Sequence, residues 1–396
     1  MKKIANWSGL RILRDWKVRV LLLFFLVFFG SFSLMYRQQV QTFPYEELEE
    51  EYIDENKIYS IIPQQHFEDE LGREVQQVLG NNSVSLGLNH YILKHREGQN
   101  IEGLALLPDY AENGRKIVEN NRFLYEATEF ESHDLLVREY LPPIETIEQQ
   151  ERFYEALEES GLNVEWNYLS AAQILKVEIE LLAGFLLFLL IAIFASDHFT
   201  KDHDKHWSVT HGVPIPWKTQ WRTRSGMLFG LFWAFVLTGI IISYIIGNII
   251  DTSGSLLYPA EIYLSDGIHY LPQWQYVLIV LGITLLLSYL LMLITTGISW
   301  ITRNIYLTIL IVSSLFLLPQ IWQVIPAFSS WQPFLYFNLM GVLNGSTAAM
   351  TGLSGIVWWK APILYIVSII GLEVIFNHVF LKIPTATFGL KRRVNA

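Results

Sequence analysis

Apolar and polar positions alternate along this chain in long blocks, and the blocks set its organisation. Six apolar runs occupy 18–36, 176–195, 225–250, 276–300, 304–325 and 360–382. Each is about as long as the roughly 20 residues a helix needs to cross a bilayer core. The connections between them are very unequal. The stretch 37–175 is too long for a loop and carries helix-like periodicity at 46–56, 109–130 and 145–160. Val84, Leu86 and Leu88 alternate along the chain, and so do Ile101, Gly103, Ala105 and Leu107, which predicts strands. A small α+β domain is the expectation there.

Two further blocks stand out. Residues 1–17 place Trp7, Leu10, Leu13 and Trp16 three apart among Lys2, Lys3, Arg11, Arg14 and Lys17, the composition of a helix lying at a membrane interface. Residues 326–359 hold Phe328, Trp331, Pro333, Phe334, Tyr336, Phe337 and Trp358, and are too apolar for a solvated loop. Short re-entrant helices, broken near Gly341, Gly345 and Gly352, are predicted.

Charge orients this pattern. The net charge of −10 is not uniform: 37–175 has 28 acidic against 10 basic residues, and the remainder has 10 against 18. The connections 251–275 and 326–359 contain no Lys or Arg. The connection 196–224 carries Lys201, Lys205, Lys218, Arg222 and Arg224, and the C-terminal tail, 383–396, carries Lys391, Arg392 and Arg393. Basic segments stay in the cytoplasm. The predicted fold is therefore a polytopic α-helical membrane protein with six transmembrane helices, both termini cytoplasmic and 37–175 extracellular. The acidic segment argues against nucleic acid as a partner. The absence of cysteine excludes disulfides and thiolate chemistry.

Familiar reaction chemistry is missing. There is no Gly-x-x-x-x-Gly-Lys-Ser/Thr loop, no His-Glu-x-x-His and no Gly-x-Ser-x-Gly, so no nucleotide, metal or catalytic serine is assigned to the chain. His198, His203, His206 and His211, interleaved with Asp197, Asp202 and Asp204, do not form a closed metal-ligand set. Within the last apolar run Glu373 stands on the order of 12 Å from the inner boundary. A carboxylate there costs about 2.5 to 3.5 kcal/mol, so it needs a cavity, a proton or a partner, and Asn377 at i+4 shares its face. Gly226 and Gly230 form a Gly-x-x-x-Gly pair, a weak indication of close helix approach.

Two motifs resemble one family. Val209 to Arg224, VTHGVPIPWKTQWRTR, is similar to the cytoplasmic coupling segment of ABC-2-type bacterial exporter permeases. Pro214, Ile215 and Pro216 match its turn; Lys218, Arg222 and Arg224 match its basic helix. Trp331 to Gly345, WQPFLYFNLMGVLNG, resembles the outer re-entrant segment that precedes the last span. The resemblance implies a subunit that binds a cytoplasmic ABC ATPase, pairs with a second permease subunit and moves an amphipathic drug-, peptide- or lipid-like substrate. ATP and Mg would sit in the partner ATPase. The coupling residues so implied are Asp202, Asp204, Trp207, His211, Gly212, Val213, Pro214, Ile215, Pro216 and Lys218. A membrane receptor or scaffold with an extracellular ligand domain is the competing expectation.

Overall fold

The computed structural model describes residues 9–10, 12–38, 53, 57–58, 60–97, 107–165, 167–196, 217–302, 304–323 and 329–382. Among these the chain is almost wholly helical, with one two-stranded hairpin. It forms an apolar helical body and an acidic helical lobe.

The first apolar run is helix α1, Trp16–Gly30, which turns at Ser31 into the short α2, Phe32–Tyr36. Asp15 caps α1 by accepting the Lys17 N–H at 3.1 Å. Residues 9–10 and 12–14 before it are also helical, and Ile12 lies in the core of the body.

The lobe contains α3, Glu70–Glu97; α4, Leu107–Glu126; α5, His133–Glu139; and α6, Ile144–Ser160. The helices predicted at 109–130 and 145–160 are present. The one at 46–56 lies almost entirely outside the described residues, as does the strand predicted from Ile101. The strand expected at Val84, Leu86 and Leu88 is instead the middle of α3, so the described lobe is helical and not α+β. The reason is in the longer pattern. Val75, Leu79, Asn82, Leu86 and Asn89 are buried at spacings of three and four, while Val84 and Leu88 face outward. Asparagines held in the seam disguise that stripe.

α3 and α4 pack through those asparagines. Asn82 Nδ2 donates to Asn121 Oδ1 at 2.8 Å and to Tyr140 Oη at 3.1 Å; Asn120 Nδ2 donates to Asn82 Oδ1 at 2.7 Å. Further along, Asn113 Nδ2 donates to Asn89 Oδ1 at 3.2 Å. Polar side chains at such positions fix the register of a helix pair.

Among the described residues three helices are long and apolar enough to cross a membrane: Ala171–Ala195, Arg222–Ile250 and Gln273–Ser299. The first, α7, starts earlier than the apolar run suggests. Ser170 caps it by accepting the Gln173 N–H, so Lys176, Glu178 and Glu180 lie in its second and third turns and not at its start. A π-helical turn, Leu182–Leu186, interrupts α7 at Gly184. The second belongs to α8, Trp217–Ile250, one continuous helix of 34 residues. The third belongs to α9, Gln273–Thr302.

Between α8 and α9 the chain forms an antiparallel hairpin, β1 (Pro259–Leu264) and β2 (Gly267–Pro272), closed by Ser265 and Asp266 with Gly267 at φ 128°. β2 leads directly into α9 and also carries the lobe. Phe153 of α6 meets Tyr258 and Tyr270 edge-on, and Arg152 donates to the Ile268 carbonyl at 2.9 Å.

The run predicted as one span at 304–325 is α10, Ile305–Ser314, followed by a 3₁₀ stretch, Leu315–Gln323. Pro319 lacks an N–H and cannot continue an α-helix. Next come a 3₁₀ turn, Pro333–Tyr336, and two short helices, α11 (Leu339–Leu343) and α12 (Ser346–Thr351). Gly345 and Gly352 break this segment at φ 77° and 68°. Gly341 does not. It lies within α11, where a Cβ would come 2.5 Å from Thr347 Oγ1. The last helix, α13, spans Lys360–Lys382.

The body's core centres on Phe25, Phe194 and Phe232, whose ring centroids lie 5.3 to 5.9 Å apart and join α1, α7 and α8. Close backbone approach between α1 and α8 occurs at Gly239, where a Cβ would meet Phe29 Cβ at 2.7 Å and Gly30 N at 3.2 Å. The Gly-x-x-x-Gly pair plays no such part: among the described residues nothing lies within 4 Å of a Cβ built on Gly226 or Gly230.

Candidate functional site

Glu373 supplies the site. It projects from α13 into the seam with α8 and α9 and is mostly buried, its side chain 15% exposed. Tyr289 of α9 donates its hydroxyl to Glu373 Oε1 at 3.1 Å. Arg222, in the second turn of α8, places Nε 3.6 Å from Oε2. That is an ion pair without a hydrogen bond, and among the described residues Oε2 has no hydrogen-bond partner. Phe229, two turns along α8 from Arg222, sits edge-on against the Tyr289 ring at 5.4 Å. Three helices therefore meet at one carboxylate, and the cation beside it stands half in solvent, 56% exposed. The exposed guanidinium gains little from the pair, whereas the buried carboxylate needs it, so Arg222 leaves only when a proton or another donor takes its place at Glu373.

The remaining candidates from the sequence divide. Asp202, Asp204, Trp207, His211, Gly212, Val213, Pro214, Ile215 and Pro216 lie outside the described residues, as does the whole His-rich stretch. Lys218 and Asn377 fall within α8 and α13, where only their backbone is described. The basic run is thus the first turns of α8 and not a separate loop helix. In the re-entrant segment Pro333 opens the 3₁₀ turn, Phe334 is partly buried, and Tyr336 is buried, donating its hydroxyl to the Ser330 carbonyl at 2.7 Å. Trp331 remains half exposed, and its ring and that of Trp359 flank the Lys360 ammonium at 4.9 and 5.5 Å. Lys360 is further held by Ser330 Oγ at 2.9 Å and the Gly355 carbonyl at 2.7 Å. These residues pin the segment to the start of α13.

Two polar centres belong to no motif in the sequence. One is a clasp at the lobe–body junction. Arg37 donates to Asp251 at 3.0 Å and to the Leu169 carbonyl at 2.9 Å, and Asn167 donates to Asp251 at 3.2 Å. Burial raises the Asp251 carboxyl, but the Thr252 N–H, Arg37 and Asn167 together hold it below the ordinary carboxylate value. The other is Glu178, fully buried in α7, with both carboxylate oxygens lacking a hydrogen-bond partner among the described residues. Its signal lies in spacing: Ala171, Ile174, Glu178 and Leu182 form one inward stripe, so the acid occupies a core position.

Among the described residues no group of three or more His, Asp or Glu side chains is arranged to hold a metal ion. No protein-family model, curated protein or solved structure matches the chain.

Proposed function

We propose that this chain is the membrane subunit of an ATP-driven exporter, with six spans, both termini cytoplasmic and the acidic lobe outside. A separate ABC ATPase would bind at 202–218, and a second permease subunit would complete the pathway. The observation that carries the reading is the continuity of α8. Thirty-four helical residues make a rod about 51 Å long that starts immediately after the basic, proline-containing connection. Arg222 in its second turn is latched to α13 and α9 through Glu373 and Tyr289. A push on the connection then reaches three helices at once and shifts a two-state bundle. The half-exposed Trp331 and its aromatic neighbours suit an amphipathic, drug-, peptide- or lipid-like substrate.

The test is purification of the full-length chain from its native membrane with identification of what accompanies it. An ABC ATPase is expected, lost when 212–216 is replaced by Gly and Ser. Arg222→Ala is expected to keep the ATPase bound while cutting substrate-stimulated ATP hydrolysis several-fold. Recovery with no ATPase, or binding indifferent to 212–216, overturns the reading and favours a receptor or scaffold.

A further inference from the structure

We propose that Glu178 is a proton-binding site: a carboxylic acid held neutral at the seam of α2, α7 and α8, which releases its proton only when that seam opens. The site is independent of the Arg222–Glu373 latch and stands on its own geometry. Glu178 lies seven residues, or about 10 Å, inside α7 and has no solvent exposure. The Ser243 hydroxyl of α8 faces its carboxyl group. Ser243 Oγ accepts the Ser33 N–H at 3.1 Å, a donor exposed because the chain bends at Ser31 between α1 and α2. Ser33 and Ser243 are themselves fully buried, and Ser33 Oγ has no hydrogen-bond partner among the described residues.

Among the described residues no cation compensates the acid. On the elements packed against this half of α7 the charged and titratable groups are engaged elsewhere. Arg37, after α2, holds Asp251 beyond the end of α8. Tyr276 of α9 donates to Glu180 at 2.8 Å, and Lys176 lies 4.0 Å from Glu180. An unpaired carboxylate in such a place costs several kcal/mol, whereas the neutral acid costs far less. A metal cation is a poor alternative. Its oxygen ligands would be two carboxylate oxygens and two hydroxyls, and one of those hydroxyls already accepts an N–H whose positive end points into the site.

The seam is also built to move. A Cβ on Gly247 would stand 3.1 Å from Ala171 Cβ, 3.2 Å from Ala171 Cα and 3.4 Å from Ser33 Oγ, so α7, α8 and α2 approach closely here with no room for a side chain. One turn further along α7 lies the π-helical turn, a distortion common at functional positions. Ionisation leaves a carboxylate on α7 and sends the proton to water, which reaches the site only if α7 and α8 part.

Infrared spectroscopy of the full-length protein in phosphatidylcholine bilayers tests this. At neutral pH an ordinary glutamate, with a pKa of about 4.3, is ionised. The wild type is expected to show the C=O stretch of a protonated carboxyl, absent in Glu178→Gln, retained in Glu373→Gln and shifted in frequency in Ser243→Ala. Identical spectra for wild type and Glu178→Gln overturn the proposal. Should Glu178→Gln fail to insert, Glu373→Gln decides in its place: a band retained there supports the proposal and its loss overturns it. Persistence of the band in choline chloride from acidic to neutral pH, unchanged when sodium replaces choline, supports proton binding. Loss of the band at neutral pH, or on adding sodium, overturns it.

Discussion

In the lobe, α3 and α4 meet through asparagine; in the body, α1 and α8 meet through glycine. Among the described residues these are the two most extensive helix pairings. The lobe pair fills its seam with Asn82, Asn89, Asn113 and Asn121, each hydrogen-bonded across it. The body pair removes side chains at Gly30 and Gly239 and brings the backbones together. Their outer faces differ in the same way. Around α4 the exposed groups are ion pairs, such as Lys116 with Glu112 at 2.6 Å and Arg115 with Glu158 at 2.6 Å. Along α8 they are Ile241, Ile245 and Ile249.

Solvent explains the contrast. Water drives apolar faces together indiscriminately, so a water-facing pair needs polar groups to select one register. Lipid supplies no such drive, and helices there associate through close packing at small residues. The composition of each seam thus argues for water around one region and lipid around the other. It also marks what is out of place. Most buried hydroxyls in α9 satisfy themselves within the helix, as Thr284 does on the Val280 carbonyl at 2.7 Å, and Ser299 reaches the Ser196 carbonyl. Glu178 and Glu373 do not follow that rule.

The largest effect should come from breaking the polar seam. Asn82→Ala strands Asn120 and Asn121 in a buried interface and removes three hydrogen bonds. Each buried group left without a partner costs about 1 to 3 kcal/mol, so a loss of about 3 kcal/mol is expected. Amide hydrogen exchange on the full-length protein should show protection falling across α3 and α4 while α8 and α9 keep theirs. Equal loss in both regions would mean that the lobe and body are one cooperative unit.

The glycine seam comes second. Gly239→Ala places a methyl 2.7 Å from Phe29 Cβ and 3.2 Å from the Leu26 carbonyl oxygen, backbone that cannot swing aside. Overpacking of this kind costs about 1 to 3 kcal/mol. Gly226→Ala, which meets nothing among the described residues, is the matched control and should stabilise α8 slightly. Thermal unfolding in detergent separates the two, and equal shifts for both would remove the close-approach argument.

The same contrast decides what is legible in the sequence. Apolar blocks announce the long helices, and α9 and α13 begin within a few residues of where hydropathy puts them. Helix α3 is harder. Its stripe mixes Asn with Val and Leu, so a helical period dissolves into a chance alternation. Glu178 falls at the very start of the apolar run 176–195, although Ser170-x-x-Gln173 marks a helix start two turns earlier. The hairpin has its own signal, Asp266–Gly267 between alternating apolar residues, obscured because Pro259 and Pro272 bound it. Arg222 meeting Glu373 joins distant parts of the chain, and no local pattern encodes such a pair.

The smallest effect concerns the clasp where lobe and body join, and its sign follows from Asp251. Its carboxyl is held below the unfolded value, so the bound, ionised form favours the folded state. That contribution is fully present above the ordinary carboxylate range and fades as pH falls through the lowered folded value. Arg37 and Asp251 are partly solvated, with side chains 15% and 27% exposed, so screening limits the pair to below about 1 kcal/mol. The lobe's many other carboxylates titrate over the same window, and only a difference isolates this one. Stability should fall more steeply with acid in the wild type than in Asp251→Asn, the two converging below the folded value. Parallel acid profiles would show that Arg37 is held by the Leu169 and Gly247 carbonyls alone, and that the junction, like the body, is set by packing and not by charge.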